Sequence, residues 1–317
     1  MISKASVADW YVIVNPCSGK RIYHRRIKSL QTALHACGQT SELHFTRHEG
    51  HAVELTQQAL SRGYKQLLVV GGDGTLNEVV NGIFSSGYPA PEEITLAAIP
   101  SGTGNDWIRQ WNITPKTNLV DYFQSGKRLT VDVGVITEKE SPEKQHYFLN
   151  AMGLGFDGDV VYRAELLRKW IGAQSWNYIV SVFLSVFKLH YKPLSIETKE
   201  EKIEGDVLTI CIGNGCYTGG GLMQTPKANP CDGIFDMMLV QRIRLKDIPS
   251  LLSALLKRKI DLHPAVKTIR SDFISINASD PVRCETEGVL LNMNFPMEIK
   301  LLHHKLQFLI PIPQVKK

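Results

Sequence analysis

The sequence predicts an α/β N-terminal domain on a doubly wound parallel sheet, followed by a mostly β, sandwich-like C-terminal domain. Three observations predict it. Up to about residue 136, short apolar runs alternate with amphipathic stretches, the order of repeated βα units. Three polar, glycine-bearing loops fall where such strands would end, which is where parallel sheets bind ligands. Beyond residue 136, strand-like runs outnumber helical ones.

Residues 10–14 (Trp-Tyr-Val-Ile-Val) read as the first strand and 21–37 as a basic amphipathic helix. A second strand is expected over 42–46 and a helix over 52–61. The third strand spans 67–70 with a helix over 76–85, and the fourth spans 95–99, ending at Pro100. In the second half, strands are expected over 146–151, 194–198, 207–213, 235–240, 273–277, 297–302 and 306–310. Helices are expected over 160–190 and 245–260.

The loop Gly71-Gly72-Asp73-Gly74-Thr75-Leu76-Asn77-Glu78 carries the most chemistry. A buried strand that breaks into glycines and restarts as a helix lets main-chain N–H groups approach an anion closely. A tight turn needs one or two glycines; three around an Asp exceed that and favour phosphate binding. Asn15-Pro16-Cys17-Ser18-Gly19-Lys20 and Pro100-Ser101-Gly102-Thr103-Gly104-Asn105-Asp106 end neighbouring strands, and the convergence of the three outweighs any one.

At 317 residues, 43% hydrophobic and 21% charged, the chain has the size and composition of a two-domain globular protein. A net charge of +5 suits an anionic small ligand or membrane surface and is too small to indicate nucleic acid. Lys20, Arg21, Arg25, Arg26 and Lys28 form one basic cluster and Lys257, Arg258 and Lys259 another. The 6 cysteines form no C-x-x-C pair, and the N-terminus has no apolar signal core, so reduced, cytoplasmic thiols are expected.

Other patterns carry less. Gly153-Leu154-Gly155-Phe156-Asp157-Gly158 matches a dinucleotide fingerprint, yet the following helical stretch is too long for a compact βαβ unit. His303 and His304, adjacent on a strand, should point to opposite faces.

Asn15 to Gly19, Gly71 to Glu78 and Ile99 to Trp107 resemble the nucleotide-loop motifs of the bacterial diacylglycerol-kinase-like lipid kinases. That family shares its catalytic domain with diacylglycerol, sphingosine and ceramide kinases. The likeness continues through Asp132-Val133-Gly134, Asn150 to Asp157, Gly219-Gly220-Gly221 and Pro230 to Asp236. It implies an NAD-kinase/phosphofructokinase-like nucleotide-binding domain over residues 1–133, a lipid-acceptor domain over 134–302, and a tail (303–317) packing back on the first.

The resemblance implies ATP held by Asn15, Pro16, Ser18, Gly19, Thr46, Gly71, Gly72, Asp73, Gly74, Thr75, Asn77, Glu78, Thr103 and Asn105. It implies Asp73, Asp106 and Asp132 near a catalytic Mg2+, and a structural Mg2+ at Asp232 with carbonyls near Asn229 and Ile234. The family's Asp-Gly-Glu base motif aligns with Glu287-Gly288-Val289, making Glu287 the general base and removing the second carboxylate. A slip to Glu285-Thr286-Glu287 loses the glycine.

The expected activity is therefore transfer of the γ-phosphoryl group of ATP to a hydroxyl of diacylglycerol or a related lipid alcohol. The segments 170–189 and 245–260, apolar with basic neighbours, suit peripheral docking on the inner membrane face. Two alternatives stand beside this: a nucleotide-binding regulatory protein with little activity, supported by the altered base motif, and an NAD-kinase-like enzyme. The acceptor, the metal preference and a homodimeric state are left open by the sequence.

Overall fold

The computed structural model describes residues 8–19, 23–171, 180–181, 185 and 189–312. The chain divides into two compact units, Met1–Val131 with His304–Lys317, and Asp132–His303. Lys20 and Arg21 of the basic cluster, and most of the 170–189 segment, lie outside the described residues.

In the first unit, β1 (Trp10–Val14), β2 (Ser41–Phe45), β3 (Gln66–Gly71) and β4 (Thr95–Pro100) pair in parallel in the order β2-β1-β3-β4. The end of β15 (Met297–Ile310) extends this sheet beside β4, with Gln307 opposite Thr95. Strands β1 and β4 are buried throughout and β3 is buried from Leu67 onward, as strands covered on both faces must be. Helices α1 (Tyr23–Ala36), α2 (His51–Ser61), α3 (Asp73–Ser85), α4 (Asp106–Arg109) and α5 (Leu119–Ser125) connect the strands.

Helices α2 and α3 touch closely at Gly82. A Cβ there would fall 2.6 Å from Thr56 Cβ and 2.9 Å from the Val53 carbonyl oxygen. The Tyr122 hydroxyl of α5 donates to the Leu309 carbonyl at 2.9 Å, fastening the returning strand to this unit.

The second unit is mostly antiparallel. Its long strand β9 (Lys202–Gly213) pairs through its first half with β8 (Lys192–Thr198), and through its second half with β7 (Ala151–Gly155) and β10 (Phe235–Gln241). Strand β12 (Phe273–Ala278) links β8 to the start of β15, and β11 (Val266–Ser271) pairs with β10. Strands β13 (Cys284–Thr286) and β14 (Val289–Leu291) form a hairpin laid against β7. Strand β5 (Lys127–Glu138), which crosses from the first unit into the second, pairs with β6 (Ser141–Phe148). Gly134 makes room for the Phe148 ring, since a Cβ would sit 2.2 Å from it, and Phe148 stacks on Phe235 at 5.7 Å.

Several expectations shift. Helix α3 begins at Asp73 and not at residue 76, so Asp73, Gly74 and Thr75 form its first turn. The strand expected over 146–151 is two, β6 and β7, separated by the bend at Leu149 and Asn150. The strands expected over 297–302 and 306–310 are one. Within it His304 adopts φ 52°, which breaks the alternation, so the two adjacent histidines are not held to opposite faces. The helix expected over 160–190 is described as α6 (Phe156–Ile171), and that over 245–260 contracts to α7 (Ile248–Leu256) flanked by 3₁₀ turns.

Gly82→Ala tests the α2–α3 contact. The gain in helix propensity, about 1 kcal/mol, opposes a clash with backbone and a β-branched side chain. A net loss of about 1–2 kcal/mol is expected in urea unfolding, with an unchanged denaturant slope.

Candidate active site

Three loops leave the carboxyl ends of β1, β3 and β4, adjacent parallel strands in register from Val14 opposite Val70 and Gly71 opposite Pro100. Side chains and backbone knit them together. Asn15 Nδ2 donates to Thr75 Oγ1 at 2.8 Å, and the Ser18 and Ser101 hydroxyls hydrogen-bond each other. The Ser101 N–H donates to the Gly71 carbonyl at 2.9 Å.

The glycines are required by contact. A Cβ on Gly72 would lie 3.1 Å from Gly102 Cα, and one on Gly102 would lie 2.6 Å from Gly72 Cα. Gly19 has φ 70°, and a Cβ there would strike the Ser101 carbonyl oxygen at 2.0 Å. Gly72 is the N-cap of α3, so the helix presents its first N–H groups where the loops meet.

Two carboxylates border this region. Asp73 Oδ2 would be 2.9 Å and Asp106 Oδ2 3.7 Å from a Cβ on Gly104, so both approach the same glycine. Burial pushes the Asp73 carboxyl above the usual carboxylate range, opposed by the N–H groups of Asp106, Trp107 and Asn105. Trp107 N–H donates to Asp73 Oδ1 at 3.2 Å. Arg109 lies 3.5 Å from Asp106 Oδ1 and donates to the Gly104 carbonyl at 2.9 Å. Asn105, at φ 54°, caps α4 and turns its amide back to the Gly102 carbonyl at 2.7 Å.

The remaining expected nucleotide residues differ in placement. Pro16 lies in the first loop, Thr46 N–H donates to the Val14 carbonyl at 2.9 Å beside that loop, and Thr103 is exposed in the third. Gly74 is in the first turn of α3. Asn77 is buried, and Glu78 Oε2 accepts the Ala52 N–H at 3.0 Å, serving the start of α2.

In the second unit, Asp132 is fully buried. Its Oδ1 is 2.8 Å from His303 Nδ1, and its Oδ2 accepts the Gly233 N–H at 2.8 Å. Asp232 Oδ2 is paired with Arg270, while its Oδ1 accepts the Ile234 N–H at 3.3 Å. Asn229 Oδ1 accepts the Cys231 N–H at 3.3 Å.

Glu287 and Gly288 join β13 to β14 with φ 54° and 80°, the positive pair that a two-residue type I′ turn requires. A left-handed glutamate is uncommon, and this one is anchored: its Oε1 accepts the N–H groups of Leu149 and Asn150 at 2.7 and 2.8 Å. Glu285 lies opposite Gly153 on β7, and its Oε2 accepts the Gly288 N–H at 2.8 Å.

The match to known families agrees with this architecture. Residues 9–136 match the diacylglycerol kinase catalytic domain, and residues 150–310 match the YegS C-terminal NAD kinase beta sandwich-like domain. A protein of Staphylococcus carnosus named diacylglycerol kinase is 26% identical over 87% of each chain. YtlR of Bacillus subtilis (strain 168), provisionally named a lipid kinase, is 31% identical over 74% of this chain and 78% of its own. A Bacillus anthracis crystal structure described as a diacylglycerol kinase superposes with a TM-score of 0.77 at 23% identity, covering 99% of this chain and 100% of the other. The chain belongs to the bacterial diacylglycerol-kinase-like lipid kinase family.

Membership gives the Gly153–Gly158 pattern a place, and packing explains its glycines. A Cβ on Gly155 would meet the Leu208 carbonyl at 2.6 Å, and one on Gly158 the Arg283 carbonyl at 2.5 Å. Gly153 leaves space for two carboxylates: a Cβ would be 2.6 Å from Glu285 Oε1 and 3.3 Å from Asp157 Oδ2. Burial raises the Asp157 carboxyl to about 6, against a hydrogen bond from Gln224 at 3.2 Å. The sequence included Asp157 in a family motif and gave it no role; its burial was the missing signal.

The two metal sites implied by the resemblance fare differently. Asp73 and Asp106 are hard oxygen donors that approach the same glycine, and they fit a divalent cation. At Asp232 the carboxylate is paired with Arg270 and accepts the Ile234 N–H, so a cation there would have to displace that pair.

Asp157→Asn tests the buried carboxyl. A folded-state value raised from 3.8 to about 6 means that stability is present below pH 3.8 and lost as pH rises towards 6. The asparagine removes that loss. In paired urea melts the variant's advantage is expected to be near zero at pH 4 and to grow to about 1–3 kcal/mol above pH 6.5.

Proposed function

We propose that this chain is an ATP-dependent lipid kinase, transferring the γ-phosphoryl group to a hydroxyl of diacylglycerol or a related lipid alcohol. The observation that carries this reading is the contact of the three glycine loops, with Asp73 and Asp106 at their border. In this reading the phosphates lie along the Gly72–Thr75 turn and the N-terminus of α3, with Asn15, Ser18, Gly19, Thr46, Thr103 and Asn105 around them. Asp73 and Asp106 would hold a divalent cation, Mg2+ by family habit. Such a cation would neutralise charge on the phosphoryl oxygens.

In the second unit Glu287 takes the alcohol proton as the hydroxyl oxygen bonds to the γ-phosphorus and ADP departs. Its Oε1 already accepts two N–H groups, so the proton is assigned to Oε2. Two fixed hydrogen bonds keep the carboxylate in one orientation, which is what a general base needs. Catalysis is by positioning and charge neutralisation, without a covalent enzyme intermediate. No described helix is long and apolar enough to cross a membrane. In this reading the enzyme meets its lipid at a membrane face.

Val289 in place of the family's second carboxylate favours one other reading, a nucleotide-binding regulator with little turnover. Radiolabelled γ-phosphate transfer to a panel of diacylglycerol, monoacylglycerol, ceramide and sphingosine separates the two. The kinase reading expects a labelled lipid, a loss of about 10²–10³-fold in Asp73→Ala, and a loss of about 10²–10⁴-fold in Glu287→Gln. Glutamine keeps an oxygen for the Leu149 and Asn150 N–H groups, so its loss reports proton transfer and not folding. ATP binding by calorimetry with no labelled lipid overturns the kinase reading. Full activity in Glu287→Gln removes that residue from the base role.

A further inference from the structure

The face of the second unit formed by residues 245–262 joins exposed apolar side chains to exposed basic ones. Helix α7 (Ile-Pro-Ser-Leu-Leu-Ser-Ala-Leu-Leu) has no buried residue despite its composition. Leu251, Ala254 and Leu255 lean on Ile260, Met238 and Cys211, so one side of the helix is anchored. Beyond that side, Leu245, Leu256 and Leu262 are 74%, 73% and 67% exposed, three of the seven exposed large apolar side chains among the described residues.

Charge tells what covers them. Between Arg242 and His263 there are six Lys and Arg against two Asp, a net +4 of the chain's +5. Both aspartates are already paired, Asp247 with Arg244 and Asp261 with Lys227. Lys257, Arg258 and Lys259 form no ion pair among the described residues, Lys246 only adds to the field on Asp247, which Arg244 already pairs, and all four are exposed. They flank the exposed leucines directly: Lys246 follows Leu245, and the run Lys257-Arg258-Lys259 follows Leu256. A self-associating apolar face would bring these like charges together, whereas an anionic bilayer offers apolar depth and negative headgroups at once.

We propose that the surface of Leu245, Leu256 and Leu262, with Lys246, Lys257 and Lys259, docks the protein on anionic lipid bilayers. The proposal extends the lipid-kinase reading by naming the surface that meets the membrane, and its test reads binding without turnover, so either can fail alone. The full chain is sedimented with phosphatidylcholine vesicles, with and without phosphatidylglycerol, at low and high salt. Binding is expected only with phosphatidylglycerol and is expected to weaken with salt.

Leu256→Ser with Leu262→Ser should lower partitioning by about tenfold per leucine, at unchanged charge. Lys257→Gln with Lys259→Gln should lower it by about fivefold per lysine and flatten the salt dependence. Nucleotide binding is expected to be unchanged in both pairs, and the exposed lysine pair serves should the leucine pair misfold. Equal binding to neutral vesicles, or indifference to both pairs of substitutions, overturns the proposal. So does a leucine pair that leaves vesicle binding intact and converts a dimer to monomer in sedimentation velocity, which makes a second copy the occupant.

Discussion

The candidate nucleotide site depends on two backbones touching where neither carries a side chain. At Gly72 and Gly102 the loops after β3 and β4 approach so closely that any other residue at either position would separate them. This contact follows from strand order: β1, β3 and β4 are neighbours in register, so their carboxyl ends arrive together. Asn15 bonded to Thr75 and Ser18 bonded to Ser101 close the remaining side. Each is a polar link between segments remote in sequence, so the loops are ordered by one another before any ligand arrives, which lowers the cost of ordering them on binding.

The second unit solves a different problem with similar economy. The bend at Leu149 and Asn150 interrupts what would be one continuous strand and turns two N–H groups away from sheet pairing. Glu287 accepts both. Asn150 in turn gives its carbonyl to the N–H groups of Asn214 and Gly215, and the Asn214 amide reaches back to Asp132 and Leu149. The bend is thus satisfied from several directions, and its hydrogen bonds hold the Glu287 carboxylate against a hairpin turn with little freedom of its own. A glutamate in a left-handed turn position is a strained choice, tolerated where surrounding structure over-determines it, and such positions cluster at functional sites.

Much of the first unit was legible because its signals are local. Runs such as Leu67 to Val70, flanked by glycine, can only be buried strands of a covered sheet, and the family motifs sit at their ends. The grouping of Asp106 with Asp73 came from the resemblance alone, since their approach over Gly104 depends on how two loops fold together. The second unit was less legible. Strands β13 and β14 have 3 residues each, too short for an alternation pattern, and β11 (Val-Lys-Thr-Ile-Arg-Ser) mixes charge with apolar residues as a half-exposed strand does. The Gly153–Gly158 pattern matches a dinucleotide turn that the long following helix argues against, because glycine spacing records close approach without recording what approaches. Here carbonyl oxygens and carboxylates take the place that a pyrophosphate would have taken. The pairing of Asp232 with Arg270 was invisible for the same reason, joining residues far apart along the chain.

The charges around α3 bear on what kind of anion the first unit suits. A helix N-terminus and a glycine turn attract a phosphate, but Asp73 occupies the first helical position and already answers part of that positive end. A bare phosphate brought beside Asp73 and Asp106 would meet two carboxylates in a poorly solvated setting, where repulsion is strong. Burial has already raised the Asp73 carboxyl, so the enclosure disfavours its charge even without a ligand. A cation between the carboxylates and the phosphate relieves both penalties, and the backbone N–H groups remain for the other phosphate oxygens. In the proposed reading the arrangement therefore suits a polyphosphate that brings a divalent cation with it better than free phosphate or a monoester.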